Sequence, residues 1–72
     1  MRLNFFKSQD GKQTYFATIQ SDAIPVVGET VVLNDPVIAG TDDKGYIVRQ
    51  RSWNFFGADL SVDVHLDESS GL

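Results

Sequence analysis

From Tyr46 to Leu66 the chain reads as one β-hairpin. Leu60, Val62, Val64 and Leu66 alternate with Ser61, Asp63, His65 and Asp67, the period-2 pattern of a strand with one buried face. Gly57-Ala58 is the turn ahead of it and fixes the pairing: Phe55 with Leu60, Trp53 with Val62. Both aromatics then lie on the inward face, and Trp53 is expected at the packing centre of the core. Carried on unbroken, this register would turn Arg51 and Arg49 inward, at the cost of desolvating two charges. One extra residue within Gln50–Ser52 restores the parity. Val48 then meets Leu66, Tyr46 lies inward, Arg51 lies across from Asp63, and Arg49 sits beside His65 on the outer face. Such a β-bulge also bends its strand, and a bent strand lets a small sheet curl into a barrel.

The first third of the chain is a second hairpin, with strands Met1–Lys7 and Lys12–Gln20 around Gln9-Asp10-Gly11. Asp-Gly suits a loop of two or of three residues, and a one-residue slip exchanges the two faces. The shorter loop pairs Phe6 with Tyr15 and Phe5 with Phe16, which mixes both faces. The longer one pairs Phe5 with Tyr15, Leu3 with Ala17 and Met1 with Ile19. That sorting gives one wholly apolar face, so the longer loop is the expected register. Phe6 and Phe16 then fall on the outer face.

Between the hairpins, Pro25 holds Ile24 extended, and Gly28 permits a bend or a positive φ before Glu29. Thr30-Val-Val-Leu33 follows as a short strand with Val31 and Leu33 inward, ended by Asn34-Asp35-Pro36. The loop from there to Gly45 starts with an apolar run that could add a brief edge strand. No segment keeps a 3.6-residue apolar period. The expected fold class is all-β: a small five-stranded, strongly bent antiparallel sheet or SH3-like barrel. One domain spans 1–68, with a polar tail over 69–72.

Composition sets the function classes. Seventy-two residues make one core, and the absence of cysteine removes disulfides and thiolate metal sites. The N-terminus lacks the apolar stretch of a signal peptide and no run is long enough to span a membrane, so a cytoplasmic protein is the expectation. The formal charge of −4 opposes generic nucleic-acid binding, which draws on phosphate neutralisation.

No catalytic motif is present, and neither an enzyme nor a cofactor is expected. His65 lines up with Asp63 and Asp67, but groups two residues apart on a strand stand about 7 Å from one another, farther than one metal ion spans. It also lacks a histidine or cysteine partner for catalysis. Asp42-Asp43 lack the alternating ligands and closing glutamate of a calcium loop, and the isolated glycines Gly28, Gly40 and Gly57 make no phosphate cradle. The surface that draws notice is aromatic. Phe6 and Phe16 on the outer face, with Phe56 at the far turn and Ile47 beyond, form an exposed patch unless residues 36–40 cover it; exposed clusters of this kind mark interfaces.

Ile24-Pro-Val-Val-Gly-Glu-Thr-Val-Val-Leu33, Tyr46-Ile-Val48, Trp53-Asn-Phe55 and Ser61–Leu66 together resemble a pattern of small bacterial and phage proteins similar to SH3-like barrels. There, a Pro-x-x-Gly-acidic turn precedes a strand. The likeness covers about two thirds of the chain and implies a fold, with no functional residues to carry over. The expected function is a non-catalytic protein-interaction module, binding a protein partner or itself. Phe6, Phe16 and Phe56 would be its anchors, and Arg2, Arg49 and Arg51 its polar rim. The alternative is a nucleic-acid-binding barrel, with Phe6 and Phe16 stacking on bases and Arg49, Arg51 and Lys12 on phosphates.

Overall fold

The computed structural model describes residues 1–9, 11–34 and 44–68. Its strands are β1 (Arg2–Gln9), β2 (Lys12–Gln20), β3 (Thr30–Val32), β4 (Gly45–Phe56) and β5 (Asp59–Glu68). Among the described residues there is no helix, so none long and apolar enough to cross a membrane. The strands form one sheet in the order β2-β1-β5-β4-β3, curled through 221° into a half-barrel. The all-β, five-stranded, strongly bent fold read from the sequence is therefore the fold observed. The expected antiparallel pairing does not hold throughout: the sheet is mixed, because β1 runs parallel to β5. This puts β5 at the centre of the sheet, between β1 and β4. Val62, Val64 and Leu66 are fully buried and Ser61 nearly so, because β5 has a strand on either side and its apolar face lies under the core.

The core fills the concave face. Leu3 and Phe5 of β1 lie beside Val62 and Val64 of β5. Val48 and Tyr46 of β4 close one side, and Phe16, Ala17 and Leu33 complete the buried set. Residues 21–33 cross this face, with Ile24 and Val31 packed against the core. Their path is set by the Pro-Val-Val-Gly-Glu segment. The Glu29 N–H donates to the Val26 carbonyl at 3.0 Å, Gly28 has φ 95, and the Val26 N–H donates to the Glu29 carboxylate at 2.6 Å. A type II turn needs positive φ at its third residue, which is why glycine stands there. Beyond the turn, the Gly28 N–H donates to the Val48 carbonyl and the Val48 N–H to the Glu29 carbonyl, both at 2.9 Å. That ties the crossing segment to β4.

Two register readings need correction. In the first hairpin Gln9 pairs with Lys12 and Phe6 with Tyr15, the register of the shorter loop. A bulge at Phe16 then shifts the register, and Phe5 pairs with Ala17 and Leu3 with Ile19. A bulge sets two residues of one strand against one of the other, and here Phe16 and Ala17 are both buried. The apolar faces are thus sorted by a mid-strand bulge, where the sequence reading sorted them at the turn.

In the second hairpin Phe55–Leu60, Trp53–Val62 and Val48–Leu66 pair as expected. The bulge falls at Arg49, ahead of Gln50–Ser52. Arg51 consequently pairs with Val64 and shares its face, while Ser52 takes the place across from Asp63. The edge strand expected after Asn34, the Asp42-Asp43 loop and the tail over 69–72 lie outside the described residues.

Candidate functional site

The aromatic residues separate into three environments: one is buried, one is partly covered although its Tyr15 is 57 % exposed, and one stands largely in solvent. Phe16 is 6 % exposed. Its ring meets Tyr46 edge-on at 5.3 Å between centroids, and Lys7 Nζ sits 4.6 Å from the ring centre. This cation–π arrangement caps the buried Phe16 ring with a partly exposed lysine. Phe16 is therefore no surface anchor and no stacking platform; the bulge that admits it to the core removes it from the outer face.

Phe6 does lie on the convex face, but it is half-covered there. It stacks on His65 (5.4 Å, 22° between planes) and meets Tyr15 edge-on at 5.9 Å. His65 Nδ1 and Gln13 Oε1 are 2.9 Å apart. A polar ladder adjoins the trio: the Thr18 hydroxyl donates to Asn4 Oδ1 at 2.9 Å, and Asn4 Nδ2 donates to Asp63 at 3.1 Å. Asp67 faces Arg49, whose Nε lies 3.7 Å away. The acids flanking His65 are thus engaged separately, and among the described residues no three His, Asp or Glu side chains converge.

The group with most of its aromatic surface in solvent is at the far end of the β4–β5 hairpin. Trp53 is 45 % exposed, Phe55 72 % and Phe56 71 %. Trp53 and Phe55 share the concave face with Val62 and Leu60, as their pairing requires. They are uncovered because the concave face is only partly roofed. Among the described residues, the segment that crosses the face ends alongside β4 at Gly45–Val48 and is bonded to it nowhere beyond. Trp53 is thus a rim residue, where the sequence reading made it the packing centre, and Phe55 leaves the expected core entirely.

Phe56 stands where the sequence reading wanted an exposed anchor. Its pair Asp59 closes a two-residue loop with Gly57 at φ 63, the positive φ that primed hairpin turns demand at their first central residue. Arg51, half-buried, lies two residues from Trp53 on the same face, whereas Arg49 sits at the bulge with Asp67.

The site is therefore Trp53, Phe55 and Phe56, bordered by Arg51 and Leu60. Two of these aromatics were read as core. A signal was nevertheless available: Tyr46 to Phe56 is a long strand, and Thr30-Val-Val-Leu33 is too short to roof all of it.

A hollow of about 450 Å³ opens between the first hairpin and the crossing segment, lined by Leu3, Phe5, Ile19, Ile24, Val31 and Leu33. Its lining is apolar apart from Ser21, Glu29 and Thr30. No family model, curated protein or solved structure matches the chain.

Proposed function

We propose that the protein is a non-catalytic interaction module, working in the cytoplasm, whose contact surface is the unroofed end of the β4–β5 hairpin. One observation carries the reading: three aromatic side chains stand in solvent within four residues of a strand fixed along its length by β5. Rings on a paired strand lose little conformational freedom on binding, so much of their apolar area is available as affinity. Trp53 and Phe55 would be the buried anchors, Phe56 a flank, and Arg51 the polar border. The sequence-level alternative, nucleic-acid stacking on Phe6 and Phe16, loses its platform with Phe16 in the core.

The test is capture from an extract of the native host on immobilised protein. Phe55→Ser with Phe56→Ser, checked for an unchanged circular dichroism spectrum and melting temperature, is expected to lose whatever the wild type retains. A contact anchored on apolar rings should also survive raised salt, whereas phosphate-driven binding weakens steeply. Equal capture by the double variant would remove the surface from consideration.

A further inference from the structure

Among the described residues, the same end of β4 is also an unpaired sheet edge. On the side away from β5, β4 is met by β3 at Gly45–Ile47 and by the two bonds at Val48. Among the described residues no strand lies there from Gln50 to Phe56. Phe56 and Asp59 close a two-residue loop, so they exchange both backbone bonds, and the pairs alternate from there. Gln50, Ser52, Asn54 and Phe56 thus direct their N–H and C=O groups to β5, whereas Arg51, Trp53 and Phe55 direct theirs outward.

Proteins usually blunt such an edge with short strands, bulges, prolines or charge. β3 is only three residues long, and the free edge of β2 has Lys12 and the Phe16 bulge. The outer half of β4, Gln-Arg-Ser-Trp-Asn-Phe-Phe, has no proline and a single charge.

We propose that a second copy of this chain pairs with this edge, β4 against β4 in antiparallel sense, about a two-fold axis at Trp53. The proposal rests on the interaction surface described above and names its occupant. Two-fold symmetry makes the contact self-complementary, and the position of the axis follows from chemistry. An axis at Arg51 would oppose two guanidinium groups, and an axis at Phe55 would run the strands off the turn after one or two pairs. An axis at Trp53 sets Trp53 on its own symmetry mate and Arg51 opposite the partner's Phe55. These are the outward-pointing residues, so each such pair can exchange both backbone bonds. Each Arg51 then lies beside a Phe55 ring, a cation–π contact made twice.

The area agrees with a modest dimer. At about 150–250 Å² per aromatic side chain, the exposures above offer roughly 400 Å² per copy. The strand edge, Gln50 and Arg51 add to this and bring the total to about 1,000–1,200 Å², the low end for a specific interface. The expected dimer is weak and concentration-dependent.

Sedimentation of the purified chain up to about 1 mM, with residue-resolved amide exchange at low and high concentration, reads the proposal directly. Protection of the Arg51, Trp53 and Phe55 amides should rise with concentration, while Gln50, Ser52, Asn54 and Phe56 stay protected throughout. Phe55→Lys, which sets lysine against the partner's Arg51 at two places, should weaken dimerisation about tenfold. Adding Arg51→Glu should recover most of that loss. A chain that stays monomeric to that concentration overturns the proposal. So does a dimer whose amides 51, 53 and 55 are unaffected, a Phe55→Lys dimer as tight as the wild type, or a double variant without recovery. If the chain is monomeric but a captured host protein protects those three amides, the edge belongs to a foreign strand. The interaction surface would then stand and only its occupant would change; loss of the surface itself is read by the capture experiment.

Discussion

The two hairpins have the same parts and put them to opposite ends. Each has a two-residue loop with a glycine at positive φ, Gly11 in one and Gly57 in the other, and each has one bulge. In β1–β2 the bulge falls on an aromatic, Phe16, and brings it into the core. In β4–β5 it falls on Arg49 and sets the parity of everything beyond, so that Trp53 and Phe55 take the core side of a sheet whose roof has ended. The side of a strand on which a residue lies is a property of register. Whether that residue is buried depends on what crosses above it.

Substitutions along this gradient of cover test the contrast. Phe16→Ala should have the largest effect, about 3–5 kcal/mol, since it empties a packed site against Tyr46; a small domain has little more than that to lose. Urea unfolding followed by Trp53 fluorescence would measure it, and a loss below about 1 kcal/mol would place Phe16 at the surface after all. Trp53→Ala should cost less, on the order of 1–2 kcal/mol, because nearly half of the side chain is already in water. The variant lacks the only tryptophan, so its unfolding must be followed by circular dichroism. A cost equal to that of Phe16→Ala would mean that the concave face is roofed over Trp53. Phe55→Ser should be smallest, within about 0.5 kcal/mol of the wild type. A clear drop in its melting temperature would make Phe55 a core residue and erase the difference between the hairpins.

Much of the fold was legible. Alternation gave β5 its faces, Gly57-Ala58 gave the second hairpin its pairing, and Gly28 announced the turn that leads into β3. The parity break between Val48 and Trp53 revealed a bulge, though not which residue carries it. At Arg49 instead of Gln50–Ser52 the arginine at 51 still turns inward, and this is tolerable because the face is open there. The Phe16 bulge left no comparable mark, since Phe5, Phe6, Tyr15 and Phe16 satisfy more than one sorting. The candidate site was misread for a different reason. Periodicity reports sidedness, and the rule that inward means buried holds only as far as the 21–33 segment reaches.

The parallel contact between β1 and β5 has a consequence in time. Each hairpin can close locally, across a two-residue loop, on the microsecond scale of such elements. Joining them brings Asn4 to Asp63, 59 residues apart along the chain, and closing a loop of that length costs on the order of 3–4 kcal/mol in entropy before any core contact repays it. The slow step should therefore be the docking of two preformed hairpins along Leu3–Val62 and Phe5–Val64. On the ribosome, β1 and β2 must wait for their parallel partner until β5, the strand that completes the core, has emerged.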